Sequence, residues 1–353
     1  MLDFSASPSD PAEEAAKPDS IGEGGPGAMP VENASAAGTE LQDSVSMGEG
    51  SPESGLWKDR EWARSPERIW SVALVLAVSI FAGIATATVC TVLLVIFQDG
   101  FAGLSEAGKV QGVGRTRLGF LTLSIAPQLA MAAVAIVAAW FSPRPFRDRL
   151  LLRPPSWPPM MVVVGAVATP MVGVLSAAFF GMFLSDSENL KQISEVFRDL
   201  GSGPFAIAIA AVIGLTPGLC EEILFRGYAQ TRLIHRFGPR AGWVLASMLF
   251  AAFHIDPVHA ISVFPLGLYL GFLAHRSGSI WPSVAGHTLN NALAVGLILT
   301  APADPNDPPT TGAMMLASAV FFLGGPACLY MLYWTVRQRA DAPAESTSGT
   351  NPC

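Results

Sequence analysis

Charge is scarce in this sequence. Asp, Glu, Lys and Arg make up 14% of the chain, against ~25% in ordinary globular proteins, and the shortage is concentrated in blocks. Residues 69–97, 118–141, 160–184 and 313–336 contain no charged side chain, and each run exceeds the ~20 residues a helix needs to cross a bilayer. A soluble globular fold is thereby excluded. Cysteine pairing is absent as well: Cys90, Cys220, Cys328 and Cys353 form no CxxC and no metal-type spacing, which argues against a disulfide framework. Cys353 stands last rather than fourth from the end, so the chain is not expected to carry a prenyl group itself. There is no HExxH, which rules out a thermolysin-like zinc site, and no internal repeat. The N-terminal region lacks the basic start and apolar core of a secretory signal, so the first spanning helix is expected to direct insertion.

What is present reads as an all-α, polytopic membrane helix bundle. Four further apolar segments follow or separate the four charge-free runs: residues 204–220, 241–255, 261–274 and 280–301. Together they predict about eight transmembrane helices. Two of them, 241–255 and 261–274, are too short for a ~30 Å core at 1.5 Å per residue and should be shielded by protein or face a water-filled cavity. The net charge of −7 hides a divided chain, because residues 1–54 hold eleven acids and a single base, Lys17. Rich in Gly, Pro, Ser and Ala, that region cannot offset the entropy of ordering and is predicted to be disordered. The organisation expected is an acidic tail (1–56), N-terminal membrane helices (57–200), a catalytic membrane core (201–302), a last membrane helix (303–339) and a short disordered tail (340–353). With the N-terminus inside, fifteen Lys and Arg fall on inner segments and five on outer ones, which favours both termini in the cytoplasm. An acidic tail there would project away from an anionic leaflet.

Ionisable residues inside apolar segments cost ~2.5–3.5 kcal/mol even on a lenient scale, so each needs a reason. Three places stand out. The first is Pro217-Gly-Leu-Cys-Glu221-Glu222-Ile-Leu-Phe-Arg226-Gly227. Pro217 suits the first turn of a helix, and Glu222 and Arg226, four apart with the acid first, suit an ion pair on one face. Glu221 lies ~100° away around the helix and is left for another partner, the disposition a general base needs. The bland alternative is a salt-bridge network at a helix end. The second is Phe250-Ala-Ala-Phe-His254, where ring and imidazole share a face; a lone histidine there is more often interfacial than functional. His259, five residues on, reads as part of the following turn rather than as a second ligand. The third is His287 with Asn291, four apart on one helix, able to donate to an oxyanion or help hold a metal, or simply to bond between helices.

The order EExxFRG, then FxxxH, then HxxxN, at residues 221–227, 250–254 and 287–291, resembles the CPBP family of intramembrane proteases, which includes the eukaryotic CAAX-processing endopeptidases. The likeness covers roughly residues 204–301. It implies that Glu221 and His254 activate the attacking water, that His287 and Asn291 stabilise the oxyanion, and that Glu222 and Arg226 brace the first motif. The family is commonly called a metalloprotease family, but these residues leave two options. His254, His287 and Glu221 would make a three-ligand zinc site with water in the fourth position, and glutamate-activated water without metal is equally consistent. The implied partners are the lipid bilayer and a membrane-associated protein or peptide substrate, with no nucleic acid. Two rival readings use the same residues: an ion or proton pathway through a transporter, which usually shows a repeat around its site, and a silent membrane scaffold in which the polar groups are structural.

Overall fold

The computed structural model describes residues 69–340 except Asp186, Ala303 and Pro305. The acidic tail, the basic residues Lys58, Arg60, Arg64 and Arg68, and the tail after residue 340 lie outside these residues. Within them the chain is helical throughout, with no strand.

The first long helix, α1 (Trp70–Asp99), is followed by a short connection that contains α2 (Ala107–Gly112). The next span, α3 (Arg117–Trp140), starts at a capped end where the Thr116 hydroxyl accepts from the Gly119 N–H at 3.1 Å. A turn with α4 (Phe146–Arg149) leads to α5 (Pro159–Gly181), which opens on a proline at its first position, where the missing N–H costs nothing. The segment after α5 contains an amphipathic helix, α6 (Glu188–Leu200), which buries Phe197 and Leu200. Arg115 fixes it from the α2–α3 connection, 2.8 Å from Asp199.

One 33-residue apolar span follows. It is built from α7 (Phe205–Glu222), a π-helical segment (Ile223–Gln230) and α8 (Thr231–Phe237). This corrects the expectation for Pro217, which sits inside α7 rather than in a first turn. The apolar run from Phe205 is already helical before it reaches the proline, and a helix in an apolar medium continues because broken backbone bonds have no water to turn to.

Then come α9 (Pro239–Ala252), α10 (Pro257–Ser277), α11 (Trp281–Thr300) and α12 (Thr311–Ala319), the last joined through a π segment (Val320–Gly324) to α13 (Gly325–Ala340). At 14 residues, or ~21 Å, α9 is short as expected. By contrast α10 reaches 21 residues, because Asp256 caps its start and Gly278, at φ +64°, closes its end. Among the described residues six helices are long and apolar enough to cross a membrane, and α9 and α11 bring the bundle to the eight expected. Phe81, Phe97, Phe141, Ile207 and Phe322 are at least 70% exposed, an apolar surface far larger than a water-facing protein tolerates. The protein is an integral, multi-pass membrane protein.

Small residues bring the central helices together. Gly214 and Gly218 on α7 face α11, where an added Cβ at 214 would lie 3.0 Å from the Thr288 carbonyl oxygen and one at 218 would overlap the Thr288 hydroxyl. This spacing is the small-xxx-small pattern of close membrane-helix packing. Overpacking such a contact costs about 1–3 kcal/mol. Gly218→Val is therefore expected to lower the thermal midpoint of the purified protein in detergent. Gly181→Val, at the end of α5 with nothing within 4 Å of the added atom, should leave it unchanged.

Candidate active site

The site begins where α7 passes into the π segment. Glu222 ends α7, and its Oε1 lies 3.0 Å from Nη1 of Arg226, with both side chains at most 1% exposed. An ion pair this deep is stable only if further hydrogen bonds satisfy it. Arg226 Nη2 donates to the Gly267 carbonyl at 3.1 Å, and one turn on Gln230 Nε2 donates to the Gly271 carbonyl at 2.9 Å. Two side chains of the π segment thus grip two carbonyls of α10. Both acceptors are glycines because a Cβ at Gly267 would meet the Phe250 ring at 3.0 Å, and one at Gly271 would press on Gln230 and Trp243 at 2.7 Å. Every residue of the π segment is buried, and such single-turn π insertions are frequent at functional sites.

Phe250 gathers the three polar segments. Its ring lies 4.3 Å beneath the Arg226 guanidinium, 5.0 Å from the His254 ring and 5.9 Å from the His287 ring. The expected packing of His254 on Phe250 is therefore present, and a second contact fixes the imidazole: His254 Nδ1 is 3.0 Å from the Phe250 carbonyl. A carbonyl only accepts, so Nδ1 carries the hydrogen, and in the neutral ring Nε2 is left as the acceptor. Directly after it, Ile255 takes φ +62°, a left-handed conformation that a β-branched residue adopts only when its surroundings compel it. The next residue, Asp256, anchors this turn. It accepts from the His259 N–H at 2.9 Å, from the Ser187 hydroxyl and from the Asn189 amide at 3.1 Å, tying the start of α6 to the turn that carries His254. The Ser187 hydroxyl foremost holds the Asp256 carboxyl at about 2, below its usual 3.8. Its stabilising contribution is complete above the usual value and is lost only as pH falls through about 2, so the tether is intact at neutral pH.

His287 joins the first motif directly. Its Nδ1 lies 2.9 Å from Glu222 Oε1, so Glu222 serves both Arg226 and His287. Glu221 points elsewhere: Oε1 accepts from Gln128 Nε2 of α3 at 3.0 Å, and the carboxylate lies within electrostatic reach of Arg226 and His259. The His259 ring itself sits 4.7 Å from that of His254. Asn291, one turn beyond His287, donates from Nδ2 to the Ile213 carbonyl at 3.3 Å and accepts from Asn290 Nδ2 at 3.1 Å.

Sequence reasoning missed two residues here. Gln128 had a visible signal, as an amide in the middle of the charge-free run 118–141. His259 was set aside by ligand spacing, a criterion that does not apply to a ring held against His254 across a turn.

The residues do not gather as a metal site. Among the described residues no three of His, Cys, Asp and Glu converge closely enough to hold an ion, and the Nδ1 atoms of His254 and His287 are both engaged by protein oxygens.

Residues 203–293, which include Glu221, Glu222, Arg226, His254, His287 and Asn291, match the family model described as type II CAAX prenyl endopeptidase, Rce1-like. Over 110 residues the chain is also 26% identical to YdiL of Bacillus subtilis (strain 168), a protein provisionally named a membrane peptidase. That match takes in 31% of this chain and spans 43% of the relative's length. No solved structure matches the chain.

Removing one member of a buried ion pair strands the other and costs about 3–5 kcal/mol. Arg226→Met is expected to destabilise the purified protein strongly. The double variant Arg226→Met/Glu222→Gln should recover part of the loss, because no uncompensated charge remains. A thermal or denaturant midpoint that is no higher in the double variant would show that the pair is not the source of the effect.

Proposed function

We propose that the protein is an intramembrane endopeptidase that hydrolyses a peptide bond of a membrane-associated or lipidated protein or peptide. The observation that carries this reading is the convergence on Phe250 of three polar segments that are remote in sequence, with Glu222 bonded to His287 and Glu221 turned away from the pair. The match of residues 203–293 to CAAX prenyl endopeptidases supports the same chemistry.

In this reading a water molecule is held between Glu221 and Nε2 of His254. Its oxygen attacks the carbonyl carbon as its proton passes to the Glu221 carboxylate. The resulting oxyanion accepts hydrogen bonds from the Asn291 amide and from Nε2 of His287, which donates only when the ring carries both protons. As the C–N bond breaks, Glu221 returns the proton to the leaving nitrogen. Glu222 and Arg226 do not touch the substrate; they hold His287 in place. The substrate enters laterally between helices or from the cytoplasmic side. No step is routed through a metal, since the candidate ligands are not clustered.

Positioned acid–base groups contribute typically 10²–10⁴-fold. Glu221→Gln and His254→Ala, purified and shown to be folded, should each lose cleavage of a fluorogenic peptide with an apolar membrane-anchoring segment by about that factor. Full turnover in both variants would sink the mechanism. Chelator-treated protein is expected to remain active; activity lost to chelation and restored by zinc would move the chemistry to a metal.

A further inference from the structure

Pro217 is the one break in the backbone ladder of α7 beside the site, and its effect falls on a single acceptor. A helical residue donates its N–H to the carbonyl four positions earlier, and proline has none to give. The carbonyl deprived by Pro217 is that of Ile213. This is the atom to which Asn291 Nδ2 donates, at 3.3 Å. The close approach needed for that bond across the α7–α11 contact comes from Gly214 and Gly218, which flank Pro217.

The other end of the amide is fixed as well. Asn291 Oδ1 accepts from Asn290 Nδ2 at 3.1 Å, and Asn290 has room because Gly173 of α5 carries no Cβ, which would overlap Asn290 Oδ1 and lie 3.3 Å from its Cγ. An asparagine amide has one oxygen and two N–H donors. With the oxygen accepting from Asn290 and one N–H spent on Ile213, the amide cannot flip. Its second N–H is the group left for an oxyanion.

We infer that Pro217 is a positioning residue, which withholds an N–H from the Ile213 carbonyl so that this oxygen orients the Asn291 amide as a donor in the site. The inference rests on the oxyanion role proposed for Asn291. It predicts an unusual combination. Pro217→Ala gives the Ile213 carbonyl a helical N–H, which a helix interior ordinarily welcomes, so the protein should be no less thermostable; the oxygen, which has two lone pairs, is then drawn toward its own helix and shared, so the Asn291 bond weakens and turnover should fall.

The test compares Pro217→Ala, Asn291→Ala and the double variant of the full chain, using the fluorogenic membrane-anchored peptide. Loss of one oxyanion donor costs ~10²–10³-fold; a donor that is present but misaimed should cost about tenfold, in kcat with KM unchanged. Pro217→Ala is expected to show that fall with an unchanged or raised thermal midpoint, and to add nothing in the Asn291→Ala background. An ester at the 217 linkage, which removes the N–H without a proline ring, should restore turnover. A Pro217→Ala enzyme with full kcat, or one whose loss is the same with and without Asn291, overturns the inference while leaving the oxyanion role standing. Full activity of Asn291→Ala overturns both. A readout without substrate is the side-chain amide resonance of Asn291 in protein labelled at asparagine, identified by its disappearance in Asn291→Ala. It should shift in Pro217→Ala, and an unmoved resonance also refutes the positioning role.

Discussion

A fully buried carboxylate, Glu222, is the constraint around which the central helices are arranged. An isolated charge at that depth would cost far more than a membrane helix gains by folding. It is tolerated because one oxygen meets both the Arg226 guanidinium at 3.0 Å and the His287 imidazole at 2.9 Å. Arg226 is in turn bound to an α10 carbonyl and lies over the Phe250 ring. Satisfying one charge therefore ties α7, the π segment, α9, α10 and α11 to one another. In a bilayer, where hydrophobic burial gives helices little reason to associate, polar bonds and close packing of this kind must supply both cohesion and register.

The π segment makes that arrangement possible. Arg226 and Gln230 stand one turn apart and meet two carbonyls one turn apart on α10, so a single register of the two helices satisfies both. Glycines at 267 and 271 let the helices come close enough, and at 214 and 218 they do the same for α7 and α11. Each contact serves the site at one remove. The first pair sets the position of Arg226 and hence of Glu222; the second brings Asn291 within reach of α7.

The sequence made the chemistry-bearing residues legible because charge is so scarce in it: any Glu, His or Arg inside an apolar run announces itself. Periodicity likewise resolved Glu222 with Arg226 from Glu221, since residues four apart share a face whatever the tertiary structure. What stayed hidden was long-range. Spacing along the chain could not reveal that His287 bonds to Glu222 rather than facing Glu221, because that pairing depends on how α7 and α11 cross. Gln128 and His259 were visible as polar residues in or beside apolar runs, but their roles were not, because only the folded helices bring them to Glu221 and His254. Pro217 misled because a proline before two glutamates looks like a helix start, and the continuity of α7 through it depends on an apolar surrounding that local rules do not include.

In a medium without bulk water the reactive atoms of a site are those left over when the protein has satisfied the rest. His254 spends Nδ1 on the Phe250 carbonyl, and Nε2 remains. Asn291 spends its oxygen and one N–H on Asn290 and Ile213, and one N–H remains. Glu222 is claimed by two partners, whereas Glu221 accepts one amide hydrogen through Oε1. The neighbouring acids are identical in type and adjacent in sequence, so their different fates follow from environment alone. Glu222 is held by Arg226 and His287 through Oε1 and is fully buried, which makes it structure. Glu221 lies outside that ion pair and is the candidate base, and hydrogen bonding likewise separates the nitrogen of each histidine that holds the ring from the one that does not.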